Sequence, residues 1–343
     1  MRFIQVGVGG FGGVWMRVLK ESKSAKVVGL VDINQKTLDG ACSAYGYSPR
    51  IAFGSIEDAL SQVKADAVVC CTPPAFHRHD VEAALNAGLH AISEKPMSDS
   101  MASCKAMLKT AVRTRRVYTV SQNYRYSPAM STLASLVRSG KLGAVGQVKL
   151  DFFMGVNFGG GFRHEMPFPV IIDMSIHHFD LIRFITGLDA VAVQGGSWNP
   201  PWSNYKGDCS STALFEMNNG ARVLYNASWC AKGQFNDWNG SWQIECERGT
   251  VVYQNGEIRI LHVPKLYAWK KTEIVPHMPL KIQGQHHVLD DFIRATRSGR
   301  RPKTDVYDNI RSVGMVFATV RAMETGRKAP VMDDEVRKLI KGK

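Results

Sequence analysis

The sequence predicts an α/β domain on a parallel, doubly wound sheet, followed by a second, strand-rich α+β domain. Three observations carry this. The first third alternates β-type apolar runs with helical patterns. Its first strand-to-helix turn is punctuated as Gly7-x-Gly9-x-x-Gly12. After residue 123 the pattern changes to alternating strands such as QVKLDFFM, ARVLYNASW, SWQIECE and TVVYQ. At 343 residues the chain is long enough for two cores, read as 1–123 and 124–343.

The elements follow in order. RFIQVGVGG opens with a β-type run, and VWMRVLKES reads as a helix with Val14, Val18 and Leu19 near helical spacing. KVVGLVD is a second strand ending at Asp32, 20 residues after Gly12. IEDALSQV is a helix, and ADAVVCCTPP is a buried strand that stops at two prolines. HRHDVEAALNAG is a helix ending at Gly88, LHAISEKP a strand, SCKAMLKTAVRTR a helix and VYTVSQN a strand. Such alternation implies right-handed crossovers, with ligands at the carboxyl ends of the strands. That rule puts Thr72, Pro73, Pro74, Glu94, Lys95, Gln122 and Asn123 along one crevice with Gly9 and Asp32.

Strand, glycines, helix, strand and terminal acid together form a dinucleotide-binding pattern. Gly7 permits the tight turn, Gly9 admits the pyrophosphate and Gly12 lets helix pack on strand. Gly10 and Phe11 complete the loop, and the helix N-terminus offers N–H groups to phosphate. Asp32 can accept from both ribose hydroxyls and would repel a 2′-phosphate. No Arg follows it (Ile33, Asn34 and Gln35 do), so NAD is expected over NADP. Thr72, Pro73, Pro74, His77, Glu94, Lys95 and Gln122 complete the cofactor candidates.

Composition excludes other classes. Net charge is +13, but the basic residues are spread, with small clusters at Arg113–Arg116, Arg297–Lys303 and Arg337–Lys343. No basic stripe sits on a nucleic-acid motif, so the charge reads first as a solvated basic surface, with attraction of an anionic cofactor or substrate as the functional alternative. No segment approaches ~20 uninterrupted apolar residues, so no membrane partner is expected. The glycine-filled N-terminus reads as the first strand, not a leader. Seven cysteines, odd in number and without Cys-x-x-Cys, read as buried reduced thiols of a cytoplasmic protein. Six of the seven tryptophans lie beyond residue 197, where large rings suit a half-buried sheet.

The segment DMSIHHFDLIRFITG reads as one helix ending at Gly187. Asp173 and His177 are then i, i+4 and share a face. A carboxylate beside an imidazole orients it and fixes its tautomer, and an imidazole of ordinary pKa near ~6.5 suits a general base. His178 lies ~100° around the helix and reads as structural. Asp180 is expected to extend the network or pair with Arg183. Metal ligation would need a third ligand, and neither His-Glu-x-x-His nor a paired Cys occurs, so no metal is expected. HHVLDD at 286–291 repeats the look of the segment, with His286 and Asp290 at the same spacing, so the local pattern alone is of low specificity.

GVGGFGG, CTPPAFH, EKPMS, QNYRY and DMSIHHFD, in this order, resemble the Gfo/Idh/MocA oxidoreductase family. The resemblance covers nearly the whole chain. It implies a Rossmann domain joined to a large, open, mostly antiparallel sheet whose outer face often mediates association, hence a homodimer or homotetramer. It implies that Lys95 is catalytic, that Lys95–Pro96 is cis and that Glu94 contacts the nicotinamide ribose. Lys95 would stabilise negative charge on the reacting oxygen, His177 would take the hydroxyl proton, and Asp173 would orient His177 and touch substrate. Arg125 reads equally as a domain-joint ion pair or a substrate contact, and Arg163 and His164 in the loop NFGGGFRHE are further substrate candidates. The chain departs from the family at Pro167-Phe168-Pro169 and at Ser175, where glycines are common. The expected activity is NAD-dependent oxidation of a secondary hydroxyl on a sugar, cyclitol or related polyol, or the reverse. An NAD-assisted glycoside hydrolase would start with the same residues. A non-catalytic ligand sensor on this fold could lose Lys95 or His177, which this chain keeps.

Overall fold

The computed structural model of the chain describes residues 1–341 apart from 234, 269 and 270. Trp269 and the last residues of the basic tail, up to Lys343, therefore lie outside the described residues. The chain divides into two compact units. One comprises Met1–Asn123, Ile282–Ile310 and the segment from Glu335 on; the other comprises Tyr124–Lys281 and Arg311–Asp334.

The first unit is built on six parallel strands: β1 (Arg2–Val6), β2 (Lys26–Val31), β3 (Ala52–Phe53), β4 (Ala67–Cys70), β5 (His90–Ser93) and β6 (Tyr118–Val120). Their order is β3-β2-β1-β4-β5-β6, so the winding reverses between β1 and β4. Helices α1 (Gly12–Glu21), α2 (Gln35–Tyr45), α3 (Ile56–Gln62), α4 (Pro74–Asn86) and α5 (Met101–Thr114) supply the crossovers. With both faces covered, the central strand β4 carries only apolar residues, and all four are buried. Ile4, Val6, Val31, Val68, Ala84 and Leu89 form part of the core. Pro74 does more than end a strand. It is the first residue of α4, where a missing N–H is harmless and the fixed φ suits a helix.

The second unit opens with α6 (Pro128–Arg138), β7 (Val145–Phe153), α7 (Phe162–Glu165) and α8 (Ser175–Thr186). Strands β8 (Ala190–Trp198), β9 (Ser210–Met217), β10 (Arg222–Ser228), β11 (Ser241–Cys246), β12 (Gly249–Gln254), β13 (Glu257–His262) and β14 (Lys271–Val275) follow. With β15 (Ala329–Pro330) they make a nine-stranded sheet ordered β14-β13-β12-β11-β7-β10-β9-β8-β15. Every pairing is antiparallel except β7 with β10. One face is inner: Val148, Leu150, Phe152, Val223 and Tyr225 are buried. Helix α8 packs there through Phe179, whose ring lies 4.9 Å from Phe215 and 5.0 Å from Tyr225. Trp229 and Trp242 are buried, whereas Trp198, Trp202 and Trp238 are exposed.

The closing helices are α9 (Gly284–Ser298), α10 (Val306–Thr325) and α11 (Asp334–Ile340). Helix α9 belongs to the first unit, where Phe292 meets Phe3 of β1 at 6.3 Å. Among the described residues, no helix is long and apolar enough to cross a membrane. All seven cysteines are free thiols, five buried and two, Cys71 and Cys246, partly exposed.

Candidate functional site

In the first unit the glycine turn is sterically committed. Gly7 has φ +81°, and a side chain there would put Cβ 2.8 Å from the carbonyl carbon of Cys71. A Cβ on Gly12 would lie 2.2 Å from the carbonyl oxygen of Gly7. Helix α1 starts at Gly12, and among the described residues no side chain caps its N-terminal N–H groups. At the end of β2, Asp32 accepts from the Val8 N–H at 3.1 Å and the Asn34 N–H at 3.0 Å, which fixes its carboxylate beside the loop. At the end of β6, Gln122 is 1% exposed, yet neither its amide oxygen nor its nitrogen has a partner among the described residues. A buried, unsatisfied amide is costly unless a ligand completes it. Glycine turn, uncapped helix end, oriented acid and orphan amide all fit a dinucleotide.

Lys95 follows β5, at the carboxyl end of the same parallel sheet, on a cis Lys95–Pro96 bond. Two buried side chains brace this turn. Glu94 accepts from Trp15 Nε1 at 2.7 Å and from the Lys95 N–H at 3.1 Å, and burial raises its pKa above the ordinary carboxylate value. His77 is 1% exposed, with Nε2 2.7 Å from the Thr72 carbonyl and Nδ1 3.1 Å from the Pro96 carbonyl. Burial lowers its pKa. His77 thus ties the end of β4 to the lysine turn, and its ring nitrogens face protein carbonyls. Thr72 donates its hydroxyl to Asp80 at 2.7 Å, Pro73 caps α4, and Phe11 and Gly10 are exposed on the loop.

The second unit brings together a separate cluster. The helix read as continuous is two elements. Val170–Met174 form a π-helical turn, closed by the Ser175 N–H to the Val170 carbonyl, and α8 begins only at Ser175. The Ser175 hydroxyl also donates to the Val170 carbonyl at 2.9 Å, which is how this departure from glycine shapes the turn. Asp173 therefore lies in the π turn, which runs directly into α8 and His177; such turns recur at functional sites. Arg163 Nε reaches Asp173 at 2.7 Å. His177 is 5% exposed and stacks on Tyr124, ring centroids 4.0 Å apart at 15°. Burial, reinforced by the charges of Asp173 and Asp237, pushes the Tyr124 phenol up to about 12. Tyr124 and Asp237 were not singled out from the sequence, although Tyr124 stands inside QNYRY beside Gln122 and Arg125.

The remaining candidates have partners of their own. His178 points into the sheet: Nδ1 meets the Tyr225 hydroxyl at 2.8 Å and Nε2 the Trp238 carbonyl at 3.1 Å. A carbonyl only accepts, so Nε2 carries the proton and Tyr225 donates to Nδ1. Burial holds this imidazole down at about 4. Arg125 is buried against Asp180, with Nε and Nη2 each 2.5 Å from a carboxylate oxygen, and Ser312 donates to Asp180 at 2.8 Å. The ion-pair reading of Arg125 thus describes its fork, and the pair lies inside the second unit. Asp180 takes Arg125 rather than Arg183, whose Nε goes to Asp189 at 2.8 Å. His164 stacks on Tyr205 at 4.7 Å, with Nε2 3.3 Å from Asn204 Nδ2. The lookalike HHVLDD is a surface feature: His286 meets Glu21 at 2.8 Å and Asp290 pairs with Arg294. Among the described residues, no three His, Cys, Asp or Glu side chains gather as metal ligands.

A six-stranded parallel sheet with this loop defines a dinucleotide-dependent protein, and comparison with known proteins names its kind. Residues 1–122 match the model described as "Oxidoreductase family, NAD-binding Rossmann fold", and 134–332 the one described as "Oxidoreductase family, C-terminal alpha/beta domain". The chain belongs to the Gfo/Idh/MocA oxidoreductase family. It is 30% identical to an uncharacterized protein, y4oX, of Sinorhizobium fredii, over 97% of this chain and 96% of that one. A D-apiose dehydrogenase of Paraburkholderia graminis is 23% identical over 94% of this chain and 87% of its own. An Agrobacterium radiobacter oxidoreductase, solved with NAD+, L-tartaric acid and magnesium, superposes with a TM-score of 0.86 at 21% identity, covering 96% and 98% of the two chains. The chain is a nicotinamide-dependent oxidoreductase of the dehydrogenase class.

Proposed function

We propose that this dehydrogenase oxidises a secondary hydroxyl of a sugar, cyclitol or related polyol with NAD, or reduces the matching carbonyl. The observation that carries the reading is Lys95: a lysine on a braced cis turn, at the carboxyl end of a strand in the same sheet as the Gly7 loop and Asp32. The D-apiose dehydrogenase relative acts on a sugar, which supports the substrate class. Bound NAD would accept the hydride. Gly7, Gly9, Gly10, Phe11 and Gly12 would receive its pyrophosphate, Asp32 its adenosine ribose and Gln122 its carboxamide end. Asp32 would favour NAD by repelling a 2′-phosphate, since its carboxylate is held toward the loop by two backbone donors.

Lys95 stabilises the charge that develops on the substrate oxygen as hydride leaves. His177, held flat by Tyr124, takes the hydroxyl proton. Asp173, its carboxylate fixed by Arg163, would orient His177 and touch the substrate. The outer face of the large sheet, where Leu214 of β9 stands exposed and opposite Leu224 of β10, is the surface proposed for pairing of subunits. The test of the activity is a panel of sugars and polyols with NAD, read by NADH absorbance. NADH formation with at least one member is expected. Product release without net NADH would instead favour cofactor-assisted hydrolysis, and no reaction of either kind would overturn the proposal.

A further inference from the structure

Arg163 is built unlike a surface arginine. Its Nε is fixed on Asp173 at 2.7 Å. Its guanidinium carbon lies 4.8 Å from the centroid of the Phe158 ring and 4.6 Å from that of Phe162. The two rings reach the same guanidinium because Gly159, Gly160 and Gly161 turn the chain back with φ of +73°, +100° and +87°, conformations that L side chains rarely adopt. Among the described residues, the terminal nitrogens Nη1 and Nη2 have no hydrogen-bond partner, and the side chain remains 31% exposed. One edge of a planar donor is thus anchored in the candidate site, its orientation is set by two rings, and its remaining donors are left open. The other cations of this loop region are engaged: Lys206 pairs with Glu165 at 2.6 Å, and Lys232 lies over Trp202 at 5.3 Å.

We infer that Arg163 reads an anionic group on the substrate, so that the substrate is an acidic sugar or polyol bearing a carboxylate or a phosphate. The inference rests on the dehydrogenase reading above and specifies its substrate class. A rigid guanidinium fork matches a two-oxygen anion better than it matches isolated hydroxyls. Binding there would place the anion against Arg163 while Asp173, on the opposite edge of the same guanidinium, keeps its own partner. The net charge of +13 favours the approach of such a substrate.

The test uses matched pairs: D-glucitol with D-gluconate, D-galactose with D-galacturonate, and D-glucose with D-glucose 6-phosphate. Wild type and Arg163→Met are compared with NAD by NADH absorbance. In at least one pair the wild type should prefer the anionic member. In that pair the variant should lose ~10–100-fold more kcat/KM on the anion than on its neutral partner, chiefly through KM, the range expected for a charged hydrogen bond. The carboxylate and phosphate pairs separate the two sources of anion. Preference for the neutral members, or equal losses on both, would overturn the inference and leave the dehydrogenase reading standing. If nothing yields NADH, that reading has failed, and calorimetric titration of the same anions into the NAD-loaded protein decides the role of Arg163. Binding lost in the variant supports the role, and binding absent from wild type or equal in both overturns it.

Discussion

Acidification should weaken this protein through His178 in particular. The imidazole is fully buried, donates from Nε2 to the Trp238 carbonyl and accepts at Nδ1 from Tyr225. A proton added at Nδ1 would carry its charge into the core. Burial accordingly lowers the pKa from 6.5 to about 4. The unfolded chain binds that proton at the ordinary value, so the stabilisation from neutral His178 is complete above pH ~6.5 and is lost as pH falls toward ~4. A depression of ~2.5 units at ~1.4 kcal/mol per unit makes the loss about 3 kcal/mol. The assay is urea denaturation at a series of pH values for wild type and His178→Gln. The variant can start from lower stability, so the quantity compared is the slope of unfolding free energy with pH. Between these limits the wild type should take up about one more proton on unfolding than the variant does. Equal slopes would refute the reasoning.

Asp305 should act in the opposite direction. It is buried where it accepts the Asp308 N–H at 2.9 Å, and burial raises its pKa from 3.8 to about 6. Its contribution is present at low pH and is lost as pH rises through ~6, so Asp305→Asn should gain up to about 3 kcal/mol on wild type between pH ~4 and ~6, read from urea midpoints. Asp32→Ala should narrow the preference for NAD over NADP, measured as the ratio of the two dissociation constants; an unchanged ratio would remove Asp32 from that role. Gly12→Ala should abolish NADH binding by fluorescence titration and lower the melting temperature, because its Cβ would sit 2.2 Å from the Gly7 oxygen.

The parallel sheet was legible because buried strands are written as continuous apolar runs and the loop glycines have no steric substitute, as at Gly7 and Gly12. Helix α2 was not anticipated. It buries only Leu38, Ala41 and Cys42, too thin a stripe for periodicity, and its marks are an Asn34 cap and a left-handed Gly46. Nor did the closing helices announce that residues 282–310 return to the first unit, since an amphipathic helix does not specify which surface it covers. At the candidate site, residue identities were readable and their partners were not. The π turn depends on Ser175 and Val170, the Arg163–Asp173 pair on contact across ten positions, and the stacking of Tyr124 on His177 on contact across 53 positions of sequence. The histidine doublet separates for the same reason. His177 meets Tyr124, His178 meets the sheet, and only the fold distinguishes them.

The central claim is that Lys95, on its cis turn at the end of β5, stabilises the reacting oxygen of an NAD-dependent oxidation. The most direct measurement is turnover of Lys95→Ala on the best substrate from the panel, paired with titration of NAD into the same protein. The account predicts NAD binding within a few-fold of wild type and turnover reduced by ~100-fold or more, as for loss of an electrostatic stabiliser. Turnover near the wild-type rate with NAD bound would contradict it.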